Sequence, residues 1–257
     1  MDKAKLVRSG QVLAPSIFTM GNMACGFYAL NAANVGDFVA AATAILGGIA
    51  FDMLDGRVAR LVHGESDFGV EFDSLSDFLT FGVAPAHMMC QLLLKDYGLG
   101  GYVMAFAYAL CGGLRLARFN AVAHSGKGSK THFTGLPIPA AAGCLASFVI
   151  LYHLVETGDP SAALGPFMWA IPRLAGAGPV FVGTLAFLMV STIPYGAFKQ
   201  TDLSHPDNRK LLVVVAAVLG ALYVWPSRAI FVIFLVYVLS GLAGLAFRRP
   251  SVPYPHN

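Results

Sequence analysis

Apolar runs long enough to cross a bilayer as helices take up most of this chain. They fall at 13–34, 37–62, 70–94, 99–123, 136–155, 176–196, 210–225 and 227–247, the seventh being the shortest. About 20 apolar residues of helix span the ~30 Å of hydrocarbon in a membrane. In lipid only a helix or a closed barrel satisfies its own backbone, so runs of this length predict an all-α integral membrane protein of about eight transmembrane helices. Composition agrees: 56% of the 257 residues are hydrophobic and 12% charged, about half the charge of a soluble domain.

The few cations report orientation. With the N-terminus in the cytoplasm, Lys3, Lys5, Arg8, Arg57, Arg60, Arg115, Arg118, Lys127, Lys130, Lys199, Arg209, Lys210, Arg248 and Arg249 fall on or near that side, and only Lys95, Arg173 and Arg228 on the other. That bias predicts eight spans with both termini inside, a multi-pass protein of the cell (inner) membrane. A net charge of +3, dispersed along the chain, gives no basis for nucleic-acid binding. Cys25, Cys90, Cys111 and Cys144 are scattered without C-x-x-C pairing and read as buried single thiols. His63, His87, His124, His132 and His153 show no metal-binding spacing. Residues 1–12 read as a cytoplasmic or interfacial approach to a retained first helix, 13–197 as a six-helix catalytic unit, and 198–257 as two further helices and a tail. His124–Gly135 and Lys199–Lys210 read as cytoplasmic loops, and 158–178 as an irregular outer segment.

Acidic residues are concentrated in one place. Seven of the fourteen, Asp52, Asp55, Glu65, Asp67, Glu71, Asp73 and Asp77, lie between 52 and 77, flanked by apolar sequence. At membrane depth a lone carboxylate costs several kcal/mol unless it pairs, binds a metal or faces water. At about 100° per residue, Asp52, Asp55, Gly56 and Ala59 share one helix face, and Gly69, Asp73 and Asp77 share a face of the next. An antiparallel hairpin of the two brings four carboxylates towards one point, an all-oxygen set suited to Mg²⁺ or Mn²⁺, with Ca²⁺ a third candidate. Gly56, Ala59 and Gly69 remove bulk beside the carboxylates, which either lets helices pack closely or opens room for a ligand. Arg57 and Arg60 follow one turn on and suit phosphate oxygens.

The stretch resembles the signature of the CDP-alcohol phosphotransferase family, D-x-x-D-G-x-x-A-R-x8-G-x-x-x-D-x-x-x-D, with each fixed position filled, by Asp52, Asp55, Gly56, Ala59, Arg60, Gly69, Asp73 and Asp77. The resemblance implies the family's helical bundle and a CDP-activated donor, with two divalent ions held by Asp52, Asp55, Asp73 and Asp77, and Asp77 as general base. It also implies donor contacts from Gly56, Ala59, Arg60 and Gly69. Four further stretches, Ile17–Leu30, Phe78–Ala86, Gly113–Ala121 and Phe133–Ala142, resemble the phosphatidylserine synthases of bacteria and archaea. Their reaction joins CDP-diacylglycerol, a membrane lipid, with L-serine, giving phosphatidylserine and CMP; the charge bias sets the aspartate cluster near the cytoplasmic face. A homodimer is carried over from the family, with Gly47 and Gly48 as small residues that could pack between copies.

Three readings stay open. Thr19 and Asn22 are polar groups inside the first span; they either bond the donor nucleotide or satisfy neighbouring helix backbone. Arg115 and Arg118, three apart on one face beside Asn120, either anchor the acceptor's carboxylate or hold topology. The acceptor is serine, or else glycerol phosphate, inositol phosphate or choline. A divalent-cation transporter is the remote alternative, and its carboxylates belong near the bilayer midplane.

Overall fold

The computed structural model describes residues 3–62, 67–124, 132–157, 173, 176–196 and 226–246. Its elements in chain order are α1 (Lys3–Asn34), α2 (Phe38–Val62), α3 (Asp67–Asp77), α4 (Ala84–Met89), α5 (Gly98–His124), β1 (His132–Thr134), α6 (Ile138–Glu156), α7 (Gly178–Val190), β2 (Pro194–Gly196) and α8 (Pro226–Ala246). Among the described residues the elements are helical apart from the ribbon that β1 and β2 make. Three described stretches are long and apolar enough to cross a membrane: Phe38–Val58, Phe68–Val122 and Ile138–Glu156. The middle one holds 55 residues, far more than one crossing needs, and it folds back at Gly98. There φ is +57°, a conformation glycine adopts without cost, and a Cβ on nearby Gly101 would sit 1.8 Å from the Leu94 carbonyl oxygen.

Local chemistry sets the first hairpin. Gly36 at φ +84° ends α1, with Asp37 N–H bonding Ala32 O at 2.9 Å and Gly36 N–H bonding Ala33 O at 3.2 Å, the Schellman pattern. The Asp37 carboxylate then accepts the Ala40 N–H at 2.9 Å and caps α2. Between the two helices lie Ala29, Ala32, Ala33, Ala41 and Ala42, all buried, whose small side chains let the backbones approach closely.

The helix after Asp77 is irregular. Phe78–Val83 widens into a π-helix, Ala84–Met89 returns to α, and Cys90–Leu94 is again π before a last 3₁₀ turn at Lys95–Tyr97. Pro85 near the start of α4 has no N–H to donate, so the α ladder cannot run through it unchanged. The expected span over 70–94 is therefore one rod with shifted register, and the shift begins immediately after the last aspartate of the motif.

At the centre stands α6, buried almost without interruption from Ala140 to Val149. It packs on α2 and α8, while α5 packs on α7. The Phe148 ring meets Phe181 at 5.3 Å and Phe231 at 6.3 Å. Part of the expected loop 124–135 is ordered instead: His132, Phe133 and Thr134 pair antiparallel with Gly196, Tyr195 and Pro194. The expected span 210–225, the loop Lys199–Lys210 and most of 158–178 lie outside the described residues.

Candidate active site

α2 supplies Asp52 and Asp55 and α3 supplies Asp73 and Asp77, as the spacing implied. Carboxylate oxygens of Asp52, Asp73 and Asp77 lie within 4.8 Å of one another. Asp55 stands beside this trio, buried to 6% exposure and within electrostatic reach of Asp52 and Asp73. Like charges gathered in a dry site repel unless a cation joins them. Two buried oxygens, Asp55 Oδ1 and Asp73 Oδ1, have no hydrogen-bond partner among the described residues. Buried carboxylate oxygens normally find a donor. A hard divalent cation fits this all-oxygen set, and the unpartnered oxygens are the observation that supports it.

α1 holds the rim on the other side. The Thr19 hydroxyl donates to Asp55 Oδ2, and Asn22 Nδ2 donates to Asp77 Oδ1 at 2.9 Å. Both α1 residues are buried, Asn22 completely. The first of the two open readings placed them on the nucleotide and the second on helix backbone; the structure puts their side chains on the motif's carboxylates. Ser76 Oγ donates to the Thr19 carbonyl at 3.0 Å and Thr80 Oγ1 to the Asn22 carbonyl at 2.9 Å. Sequence reasoning passed over Ser76 and Thr80. Their signal was their position one residue before and three after Asp77, in helix that is otherwise apolar.

The glycines divide by use. No described residue lies within 4 Å of where a Cβ on Gly56 would stand, so among the described residues Gly56 leaves room beside Asp55. Gly48 is the opposite case, with a Cβ there meeting Thr80 Cγ2 at 2.5 Å and Asn22 Oδ1 at 2.9 Å. Gly47 faces Cys25 Sγ at 3.7 Å. The small residues taken as a contact between copies thus pack within one chain, and that ground for a dimer is withdrawn. Gly69 is half-buried on α3. Ala59 and Arg60 lie on the last turns of α2, and their side chains lie outside the described residues.

The structure gives the three residues expected at the acceptor different surroundings. Arg115 is 9% exposed, its guanidinium 6.0 Å from the Phe119 ring and within electrostatic reach of Asp77. Its Nε has no hydrogen-bond partner among the described residues. Arg118 turns away, donating to the carbonyls of Val190 and Ser191, each at 3.3 Å. These oxygens close α7, where the helix's own N–H groups have run out, and a cation is favourable there. Asn120 Nδ2 donates to Ser74 Oγ at 2.9 Å, tying α5 to the residue after Asp73. Two arginines on one helix face thus have different hydrogen-bond partners among the described residues.

The chain matches the family model described as CDP-alcohol phosphatidyltransferase over residues 12–190, which takes in the aspartates and both arginines. It is 32% identical over 248 residues to the CDP-diacylglycerol–serine O-phosphatidyltransferase of Helicobacter pylori (strain J99 / ATCC 700824), covering 95% of this chain and 96% of that protein. It is 32% identical over 186 residues to the protein of the same name from Bacillus subtilis (strain 168), covering 72% of this chain and 91% of that one. An archaetidylserine synthase from Methanothermobacter thermautotrophicus is 38% identical over 144 residues, 54% of this chain and 58% of that protein. Motif, carboxylate geometry and likeness agree: the chain belongs to the CDP-alcohol phosphatidyltransferase family.

Proposed function

We propose that this chain is a phosphatidylserine synthase, transferring the phosphatidyl group of CDP-diacylglycerol to L-serine and releasing CMP. The observation that carries the reading is a buried guanidinium, Arg115, whose Nε has no hydrogen-bond partner among the described residues, within electrostatic reach of Asp77 of the three-carboxylate cluster. An amino-acid acceptor brings a carboxylate, which an arginine at a dry site binds strongly. The relatives' names supply the same acceptor independently.

Asp52, Asp73 and Asp77, with Asp55 beside them, would hold Mg²⁺ or Mn²⁺, as two ions. Bound there, the metal supplies neutralisation of the donor's pyrophosphate charge and of the departing CMP. The chain's own residues do the rest. Open space at Gly56 admits the donor next to the carboxylates, with Arg60 as a further phosphate contact. Arg115 holds the serine carboxylate, which directs the serine hydroxyl to Asp77. Asp77 accepts the hydroxyl proton as the serine oxygen bonds to the phosphorus bearing diacylglycerol; the bond from that phosphorus to the CMP oxygen breaks, and CMP leaves with the electron pair. Asp55, Asp77 and Arg115 are buried beside the donor, and the acyl chains stay in lipid.

The molecule is read as an eight-span protein of the cell (inner) membrane with its site at the cytoplasmic face, working as a homodimer. Cations at the cytoplasmic ends of the spans support the orientation. The test is CMP release from CDP-diacylglycerol by the purified protein with serine, glycerol phosphate, inositol phosphate or choline supplied singly. Serine alone should drive turnover; a faster rate with another alcohol overturns the assignment.

A further inference from the structure

Two residues three apart on α1 reach two carboxylates that lie on two other helices. Thr19 donates to Asp55 of α2 and Asn22 to Asp77 of α3. Each is held a second time through its own backbone: the Thr19 carbonyl accepts the Ser76 hydroxyl and the Asn22 carbonyl accepts the Thr80 hydroxyl. Thr19 is 3% exposed and Asn22, Ser76 and Thr80 are 0% exposed, so these four bonds cross a dry helix junction where each is costly to leave unmade.

Two glycines make the junction possible. A Cβ on Gly26 would sit 2.4 Å from Thr80 Oγ1 and 2.8 Å from its Cα, and one on Gly48 would meet Thr80 and Asn22. Thr80 belongs to the π-helical turn after Asp77, and widening that turn sets where its hydroxyl falls relative to α1. The clamp is thus built from three helices and one backbone irregularity.

We propose that Thr19 and Asn22 are a carboxylate clamp, with Asn22 the positioning residue for Asp77 and Thr19 for Asp55, each fixing one oxygen and turning the other to the site. The inference rests on the reading of Asp77 as proton acceptor and of the carboxylates as metal ligands. For Asp55 the second oxygen is the one left without a partner among the described residues. A carboxylate with one oxygen tied has lost its freedom of rotation about χ2, which is what metal binding and proton transfer both require of it.

The test uses the full chain in detergent with Asn22→Leu, which keeps the branched shape and lacks the amide, and Thr19→Val. Three quantities are read: kcat, KM for CDP-diacylglycerol at saturating Mn²⁺, and the Kd for Mn²⁺ alone by electron paramagnetic resonance. Loss of a residue that orients ligands typically costs about 10–100-fold in metal affinity or activity. The clamp predicts a loss of that size shared between kcat and Mn²⁺ affinity, with KM for CDP-diacylglycerol within about threefold of wild type. A KM increase of tenfold or more with kcat and Mn²⁺ affinity unchanged makes these residues nucleotide contacts and overturns the clamp. Wild-type values throughout overturn it also. If Asn22→Leu does not fold, Asn22→Ala gives the same readings without added bulk. Absence of serine-dependent CMP release from the wild type would defeat the functional reading alone, because Mn²⁺ affinity still reports on the clamp.

Discussion

Asp77 and Asp52 are both carboxylates of one cluster, yet they are bonded differently, and that separates their roles. Asp77 is buried and takes the Asn22 amide, while Asp52 is only half-buried. Asp77→Asn conserves volume and removes the proton acceptor, so kcat should fall by about 10²–10⁴-fold while CDP-diacylglycerol still binds. Asp52→Asn should weaken donor binding as well as rate; equal loss of donor affinity in both variants would make Asp77 chiefly a ligand. The arginines separate in the same way. Arg115→Ala should raise the KM for serine at least tenfold with little change for CDP-diacylglycerol. Arg118→Ala removes the donors that close α7, so it should lower the thermal midpoint and spare the serine KM relative to Arg115→Ala. A serine-specific defect in Arg118→Ala would return that residue to the acceptor site.

Between elements, what the chain spells out is periodic chemistry, and what it conceals is packing. The spans at 37–62, 99–123 and 136–155 were legible because long apolar runs with terminal cations have few other solutions in lipid, and α2, α5 and α6 follow them closely. The aspartate cluster was legible because helix geometry converts i,i+3 and i,i+4 spacing into a shared face. The π turns were not, since they answer to Pro85 and to the junction with α1 rather than to any repeat. The ribbon was hidden because three-residue strands carry no period. Nor could spacing say that Gly56 faces open space while Gly48 is filled by Thr80 and Asn22; both are glycines on one helix. A paired experiment follows. Gly48→Ala forces a Cβ into occupied space and should destabilise by about 1–3 kcal/mol with activity falling in step. Gly56→Ala should leave the thermal midpoint unchanged or higher, by helix propensity of up to ~1 kcal/mol, and still lose activity if the donor occupies that space. Wild-type turnover in Gly56→Ala would move the donor elsewhere.

Seen whole, the molecule gathers four carboxylates within a largely apolar bundle. Two helices, α2 and α3, bring Asp52, Asp55, Asp73 and Asp77 into one region, with oxygens of three of them within 4.8 Å. A bundle stabilised by apolar packing alone has no use for such a cluster, which repels itself and leaves Asp55 and Asp73 oxygens without partners among the described residues. The arrangement becomes favourable when positive charge is supplied, as a divalent cation would supply it and as Arg115 does within electrostatic reach of Asp77. The clamp from α1 belongs to the same economy, since it holds carboxylates in place against their mutual repulsion before any ligand arrives. It follows that removing divalent cations should stop the reaction without unfolding the protein, because the α6 core and the α1 hydrogen bonds do not depend on them. Excess EDTA should abolish CMP release while the helical circular-dichroism signal persists, and Mg²⁺ or Mn²⁺ added beyond the chelator should restore the rate. Full turnover in EDTA would mean that the carboxylates work without metal; loss of helical signal in step with activity would mean that the cation holds the fold itself.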